Sequence, residues 1–165
     1  MAKFGEMRNA ALRSQREFDG TRDRAWKCFE RIIQGLFTHC DVPFDNIRFL
    51  KWNGKFDEGR AYRPADSGNY TLQGAASFDE SDGYWHLGLS VHLTQVHFIL
   101  FVLCYSELDG SPRVKLGPKG KPEVLSLESE ESLGAYCESI CDAGVRAYSE
   151  PTSSEPRAVG FGTNE

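Results

Sequence analysis

Between residues 84 and 93 the side chains alternate. Trp85, Leu87, Leu89, Val91 and Leu93 are apolar, while His86, Gly88, Ser90 and His92 are polar or small. A period of two predicts a strand buried on one face. Residues 98–105 are apolar at both phases, which predicts a central strand covered on both sides. Asp109-Gly110 is a turn dipeptide leading to a third strand over 113–116. Residues 70–78 alternate again, so a strand is expected there too. Asn53-Gly54 supplies the positive φ angles of a type I′ turn. It predicts a hairpin of residues 46–52 with 55–62. Leu89, Val91, Phe98, Leu100, Val102 and Ile140 are the expected core.

Helical spacing governs the two ends of the chain. Phe4, Met7, Ala11 and Phe18 recur on one face, with Ser14 at the missing step. Gly20 is expected to end this first helix and Thr21 to cap a second. Over 22–38, Trp26, Phe29, Ile33, Leu36 and Phe37 form an apolar stripe. Pro43 blocks continuation, so that helix ends near His39. Ser129 can cap a last helix whose first turn carries Glu130 and Glu131, favourable at the positive end of the dipole. Leu133, Tyr136, Cys137, Ile140, Gly144 and Tyr148 give its inner stripe, and Pro151 stops it. Helices gathered at the ends of a run of strands argue an α+β fold. The expected architecture is an antiparallel five- or six-stranded meander flanked by N-terminal helices and a C-terminal helix. Residues 1–150 form a single domain and 151–165 a flexible tail. One sheet face should carry the helices; the other should be partly open, or covered by a second copy.

Composition narrows the class. At 165 residues, with 40% hydrophobic and 26% charged, the chain has enough apolar content for one core. No apolar run approaches a membrane span, and residues 1–17 lack the apolar centre of a secretory signal, so the cytoplasm is the expected location. Five cysteines, an odd number, fit a reducing compartment better than a disulfide framework. Residues 1–60 hold 12 Lys/Arg against 9 Asp/Glu, a net +3; residues 61–165 hold 7 against 15, a net −8. Such asymmetry can steer a partner, but it is unlike a strongly basic nucleic-acid binder.

Candidate chemistry is sparse. His86 and His92 share one side of a strand but stand about 20 Å apart, too far to bind one metal. His97 approaches His92 only across a tight turn, and no carboxylate lies on these strand faces. His92-Leu93-Thr94 resembles the H-x-T element of two-histidine phosphoesterases, whose mechanism needs a second copy; this sequence has none. Cys137 and Cys141 are one helical turn apart on a buried stripe, where packing is the simpler role. Residues 79–83, DESDG, lack the spacing of a calcium loop and read as a solvated turn. Residues 117–122, GPKGKP, lack the P-loop pattern. With Arg113 and Lys115 they make only a small basic patch. Neither metal nor cofactor is therefore expected, and no catalytic residue is assigned.

The favoured reading is non-enzymatic: a small acidic adaptor, inhibitor or chaperone-like protein that binds another protein through a sheet edge or open sheet face. The expected binding residues are Trp52, Arg60, Tyr62 and Arg63, because aromatic and arginine side chains are enriched at interfaces and loops carry function. A homodimer is compatible with this layout. One alternative is a nucleic-acid-binding accessory protein using Arg22, Arg24, Lys27 and Arg31, with Arg8, Arg13 and Arg16. The other is a small hydrolase whose site is assembled from distant residues around His86 or His92.

Overall fold

The computed structural model describes residues 2–51, 70–95, 98–108, 111–117, 119–148 and 157–159; the side chains of 98, 108, 148 and 157–159 fall outside that set. The chain opens with one helix, α1 (Ala2–Cys40), and reaches β1 (Ile47–Leu50) through a 3-10 turn at Phe44–Asn46. A single helical turn, α2 (Leu72–Ala75), precedes β2 (Ser77–Asp79) and β3 (Tyr84–His92). Then come β4 (Phe98–Leu108), β5 (Ser111–Leu116), β6 (Glu123–Val124), α3 (Glu130–Tyr148) and β7 (Arg157–Val159). The fold is α+β, as the order of patterns predicts.

β3 and β4 are the centre of the sheet. The order is β1-β3-β4-β5-β6, all antiparallel, with β2 beside β1 on the outer side of β3. β5 pairs with the second half of β4, Leu103 to Leu108. β7 pairs in parallel with its first half, from Ile99 to Phe101. Part of the expected tail thus belongs to the sheet.

Trp85, Leu87, Leu89 and Val91 of β3 join Ile99, Phe101, Leu103 and Tyr105 of β4 on one face. α1 and α3 pack there, bringing Phe29, Ile32, Leu36, Leu133, Tyr136 and Ile140. The other face is not open at its centre, contrary to the alternation: Tyr84, His86, Ser90, Leu100, Val102 and Cys104 are also buried. Gly88 sits between the two polar residues of that face. A Cβ there would lie 2.6 Å from the Leu50 carbonyl oxygen, so glycine permits β1 to pair closely. Of the expected core, Leu89, Val91, Leu100, Val102 and Ile140 are buried; the Phe98 side chain lies outside the described residues.

Three local expectations change. Gly20 does not divide α1, because its neighbours support the turn. The Gln15 amide donates to Asp19 at 2.9 Å, Arg22 pairs with Asp19 at 3.4 Å, and the Thr21 hydroxyl donates back to the Glu17 carbonyl. These offset the ~1 kcal/mol that glycine costs within a helix. Residues 70–78 do not form one strand. Thr71 accepts a bond from the Gly74 N–H at 3.0 Å and caps α2, leaving only β2 extended. Phe37 does not join the core: it is exposed and stacks on Phe44 at 4.7 Å.

The ends of the main helices match their signals. Val42 N–H donates to the Leu36 carbonyl and Asp41 N–H to that of Phe37, with Asp41 at φ 57°. The Asp41-to-Phe37 bond is that of an αL closure, with aspartate in the left-handed position. Ser129 accepts from the Ser132 N–H and caps α3.

Candidate functional site

Three regions of the described surface carry more than scaffolding. The first is the N-terminal half of α1. At 3.6 residues per turn, Phe4, Met7, Ala11 and Phe18 lie on the same side as Ala25, Phe29, Ile32 and Leu36. The latter four are buried against the sheet and α3, whereas Phe4 is 68% and Met7 64% exposed. One apolar stripe therefore continues past the core that uses it. Phe18 marks the boundary. Its ring lies 5.7 Å from that of Phe78 and 5.4 Å from that of Trp85, a trio that roots the arm on the β2–β3 hairpin.

The second region holds two cavities along the helix layer. One, ≈ 560 Å³, is lined by Arg24, Lys27 and Arg31 with Tyr105, Glu107 and Glu128. Two of its three cations, Arg24 and Arg31, are tied into the fold. Arg24 donates to both carboxylate oxygens of Glu107, at 2.6 and 3.0 Å, and Tyr105 donates its hydroxyl to the same group. Burial pushes the Glu107 pKa up, but these bonds outweigh it and leave the group below its ordinary value. Arg31 bonds Glu130 and the Leu127 carbonyl, and Arg22 pairs with Asp19 and Asp23. The cationic row is thus partly neutralised. The other cavity, ≈ 470 Å³, is apolar, with Val42, Val91, Leu93, Ile99, Phe101 and Val145 among its walls.

The third region is the β2–β3 turn. The register Ser77↔His86 and Asp79↔Tyr84 puts Asp79 on the same sheet face as His86, and the turn brings Asp82 between them. His86 Nε2 lies 2.8 Å from Asp82 Oδ2, and its Nδ1 lies 3.4 Å from Cys104 Sγ on β4. Lys115 of β5 stands over the Tyr84 ring at 4.1 Å. The Asp–His–Cys order invites a nucleophilic reading, but the thiol opposes it. Burial pushes the Cys104 pKa up to about 12, so it stays protonated, and its side chain is buried away from substrate. Burial also lowers the His86 pKa, more than Asp82 raises it, which keeps the imidazole neutral. Among the described residues, Asp79, Asp82 and His86 are the group with three potential metal-ligand atoms together, all within 4.8 Å of one another.

The expected binding residues Trp52, Arg60, Tyr62 and Arg63 lie outside the described residues, as do the Asn53-Gly54 turn and His97. β1, the strand leading into that segment, is an edge strand among those described. His86 and His92 are not brought together; His92 Nε2 instead faces Ser90 Oγ at 3.4 Å. Cys137 is buried, while Cys141 and Cys40 are partly buried against the same core. The turn cluster is what sequence reasoning missed. Its signal was present: an acidic turn followed by a histidine two positions into the next strand past Tyr84. Reading turn and strand separately hid the contact. No family model, no curated protein and no solved structure matches this chain.

Proposed function

We propose that this protein is a non-enzymatic protein-binding module. One observation carries the reading: the apolar stripe of α1 runs on through Met7 and Phe4, which are 64% and 68% exposed. An amphipathic helix with an uncovered apolar row is a standard means of entering a partner's groove. Lys3 and Arg8 flank the row, so a groove with acidic groups at its rim is the complementary surface. The segment containing Trp52, Arg60, Tyr62 and Arg63 is proposed as a second contact, reached through the edge strand β1.

Adaptor, inhibitor and chaperone-like roles all fit this surface. A cytoplasmic setting is supported by the five cysteines, all free thiols. No helix among the described residues is long and apolar enough to cross a membrane.

The test is comparative capture from the native cell. The parent chain and a Phe4→Glu/Met7→Glu variant are used as baits, with thermal midpoints checked first. Both positions are exposed, so the midpoints should agree. Partners that copurify with the parent should be lost from the variant by at least about tenfold, since central apolar anchors dominate such contacts. An identical set of partners on both baits would overturn the arm as the docking surface.

A further inference from the structure

We propose that Asp79, Asp82 and His86 form a binding site for a divalent first-row metal ion, with zinc the best match. The site is independent of the docking surface and rests on the geometry of the β2–β3 turn. Three features make it more than an acidic turn. The first is convergence. Asp79 ends β2, Asp82 lies in the turn and His86 is the third residue of β3, yet one ligand atom from each falls within 4.8 Å of the others.

The second is division of labour within each carboxylate. Asp79 Oδ1 accepts the Ser81 N–H at 2.9 Å and the Ser81 hydroxyl at 2.7 Å. Asp82 Oδ1 accepts the Tyr84 N–H at 2.9 Å. One oxygen of each group thus fixes the turn. The second oxygen of Asp82 points at His86 Nε2, and Oδ2 of Asp79 is left for a ligand bond. Side chains already locked this way lose little freedom when an ion binds.

The third is the imidazole. His86 is 1% exposed, yet its Nε2 is aimed at the two acids, and an imidazole nitrogen is a common metal ligand. In the metal-free tautomer Nε2–H donates to Asp82 and the Cys104 thiol lies beside Nδ1. When Nε2 takes the metal, its proton moves to Nδ1, where the Cys104 sulfur accepts it. Cys104 then supports the ring from the side away from the ion.

The donor set selects the ion. One imidazole nitrogen with two carboxylates suits a borderline ion such as zinc, whereas calcium takes six to eight oxygens and magnesium retains its waters. Ligands around zinc sit about 3–3.5 Å apart, so a pair of ligand atoms at the 4.8 Å limit closes by roughly 1.5 Å. Asp82 is exposed and gives the ion a route from solvent. The Lys115 charge, which acts on His86, opposes binding and makes the site weaker than a closed structural centre. Metal would stiffen the hairpin that also anchors Phe18 through Phe78 and Trp85, on the opposite face.

Untagged full-length protein is stripped with a chelator and titrated with Zn²⁺ by calorimetry, and with Co²⁺ by absorption. The parent should bind one Zn²⁺ per chain and gain thermal stability, with magnesium and calcium failing to compete. Asp79→Asn and Asp82→Asn keep the turn-fixing oxygen. Both should retain the metal-free midpoint yet bind at least about tenfold more weakly. The cobalt spectrum should lack a thiolate charge-transfer band. The proposal is overturned if no saturable one-to-one binding occurs, if both variants bind like the parent, or if a thiolate band places the ion on cysteine instead.

Discussion

Residues 2–20 and 21–40 of α1 share one helix and one apolar stripe, yet they live in different surroundings. The second half buries Ala25, Cys28, Phe29, Ile32, Ile33 and Leu36. In the first half, the same face carries Phe4 and Met7 in the open. At 1.5 Å per residue the first half alone runs about 28 Å. Helical periodicity states that a face needs cover; it does not state whether the chain itself supplies that cover. On the proposed reading the apolar face is energetic in one half and functional in the other, and truncating side chains in each should separate the two.

The largest effect belongs to the buried half. Phe29 is fully enclosed and meets Tyr105 edge-on at 6.5 Å. Phe29→Ala should cost ~3–5 kcal/mol, and Leu100→Ala on β4 ~2–5 kcal/mol, from lost transfer energy plus the cavity left behind. Denaturant unfolding would check both. A loss below about 1 kcal/mol at either position would place it outside the core, because surface changes fall in that range.

A glycine sharpens the comparison next. Gly35 lies where α1 crosses α3, and a Cβ there would stand 2.6 Å from Cys137 Sγ and 3.3 Å from Leu133 Cγ. Alanine would gain up to ~1 kcal/mol in helix propensity, but overpacking costs ~1–3 kcal/mol. Gly35→Ala should therefore destabilise by about 1 kcal/mol net. Adding Cys137→Ala removes the obstructing sulfur, so the pair should lose less than the sum of the single losses. Simple additivity would show that the helices are not in tight contact here. Gly20→Ala, with only the end of the Arg24 side chain nearby, should be neutral or stabilising.

How far these features could be read from the sequence follows from range. The end of α1 near Cys40, the extended β3 and the Ser129 cap depend on residues within a turn or two and emerge as the pattern indicates, whereas the alternation over 70–78 gives way to the Thr71-capped turn. The continuity of α1 through Gly20 depends on weak local bonds from Gln15, Thr21 and Arg22 that a propensity argument discounts. Burial of the second sheet face was hidden because His86 and Ser90 are polar, and polarity at alternate positions reads as solvent. The turn cluster required the β2–β3 register before Asp79 could be placed beside His86. The proposed hairpin contact remains an expectation.

Smaller than the packing effects is a pH response from the sheet face. Burial holds the His86 pKa below its ordinary 6.5, and burial with Arg48 does the same to His92. The unfolded chain then takes up protons before the folded one. Stability is full above about pH 6.5 and falls as acid carries the chain from there toward the lowered folded values. The shifted carboxylates Asp79, Glu107 and Glu130 act only at lower pH, since all start near 4 and move down. Thermal midpoints across this window should fall with acid. His86→Gln should flatten the response more than His92→Gln, because His86 is the more deeply buried. A midpoint rising with acid over that range would mean the folded state favours the imidazolium, contrary to the burial seen.

The smallest stability effect is expected in the free arm, and its smallness is the informative result. Phe4→Ala and Met7→Ala remove large apolar groups, but groups that solvent already reaches. Each should change stability by less than about 0.5 kcal/mol. The arm holds its helix because the docked half supplies the nucleus from which it propagates; a separate peptide of this length would be marginal. Amide exchange should therefore be faster over residues 2–17 than over 25–36, with the step near Phe18, where the contacts with Phe78 and Trp85 begin. A partner that covers the stripe should move that step toward Phe4. If Phe4→Ala instead costs more than about 1 kcal/mol in the isolated protein, the arm is packed on its own chain. The contrast between the two halves of α1 would then disappear, and with it the reason for assigning binding to this face.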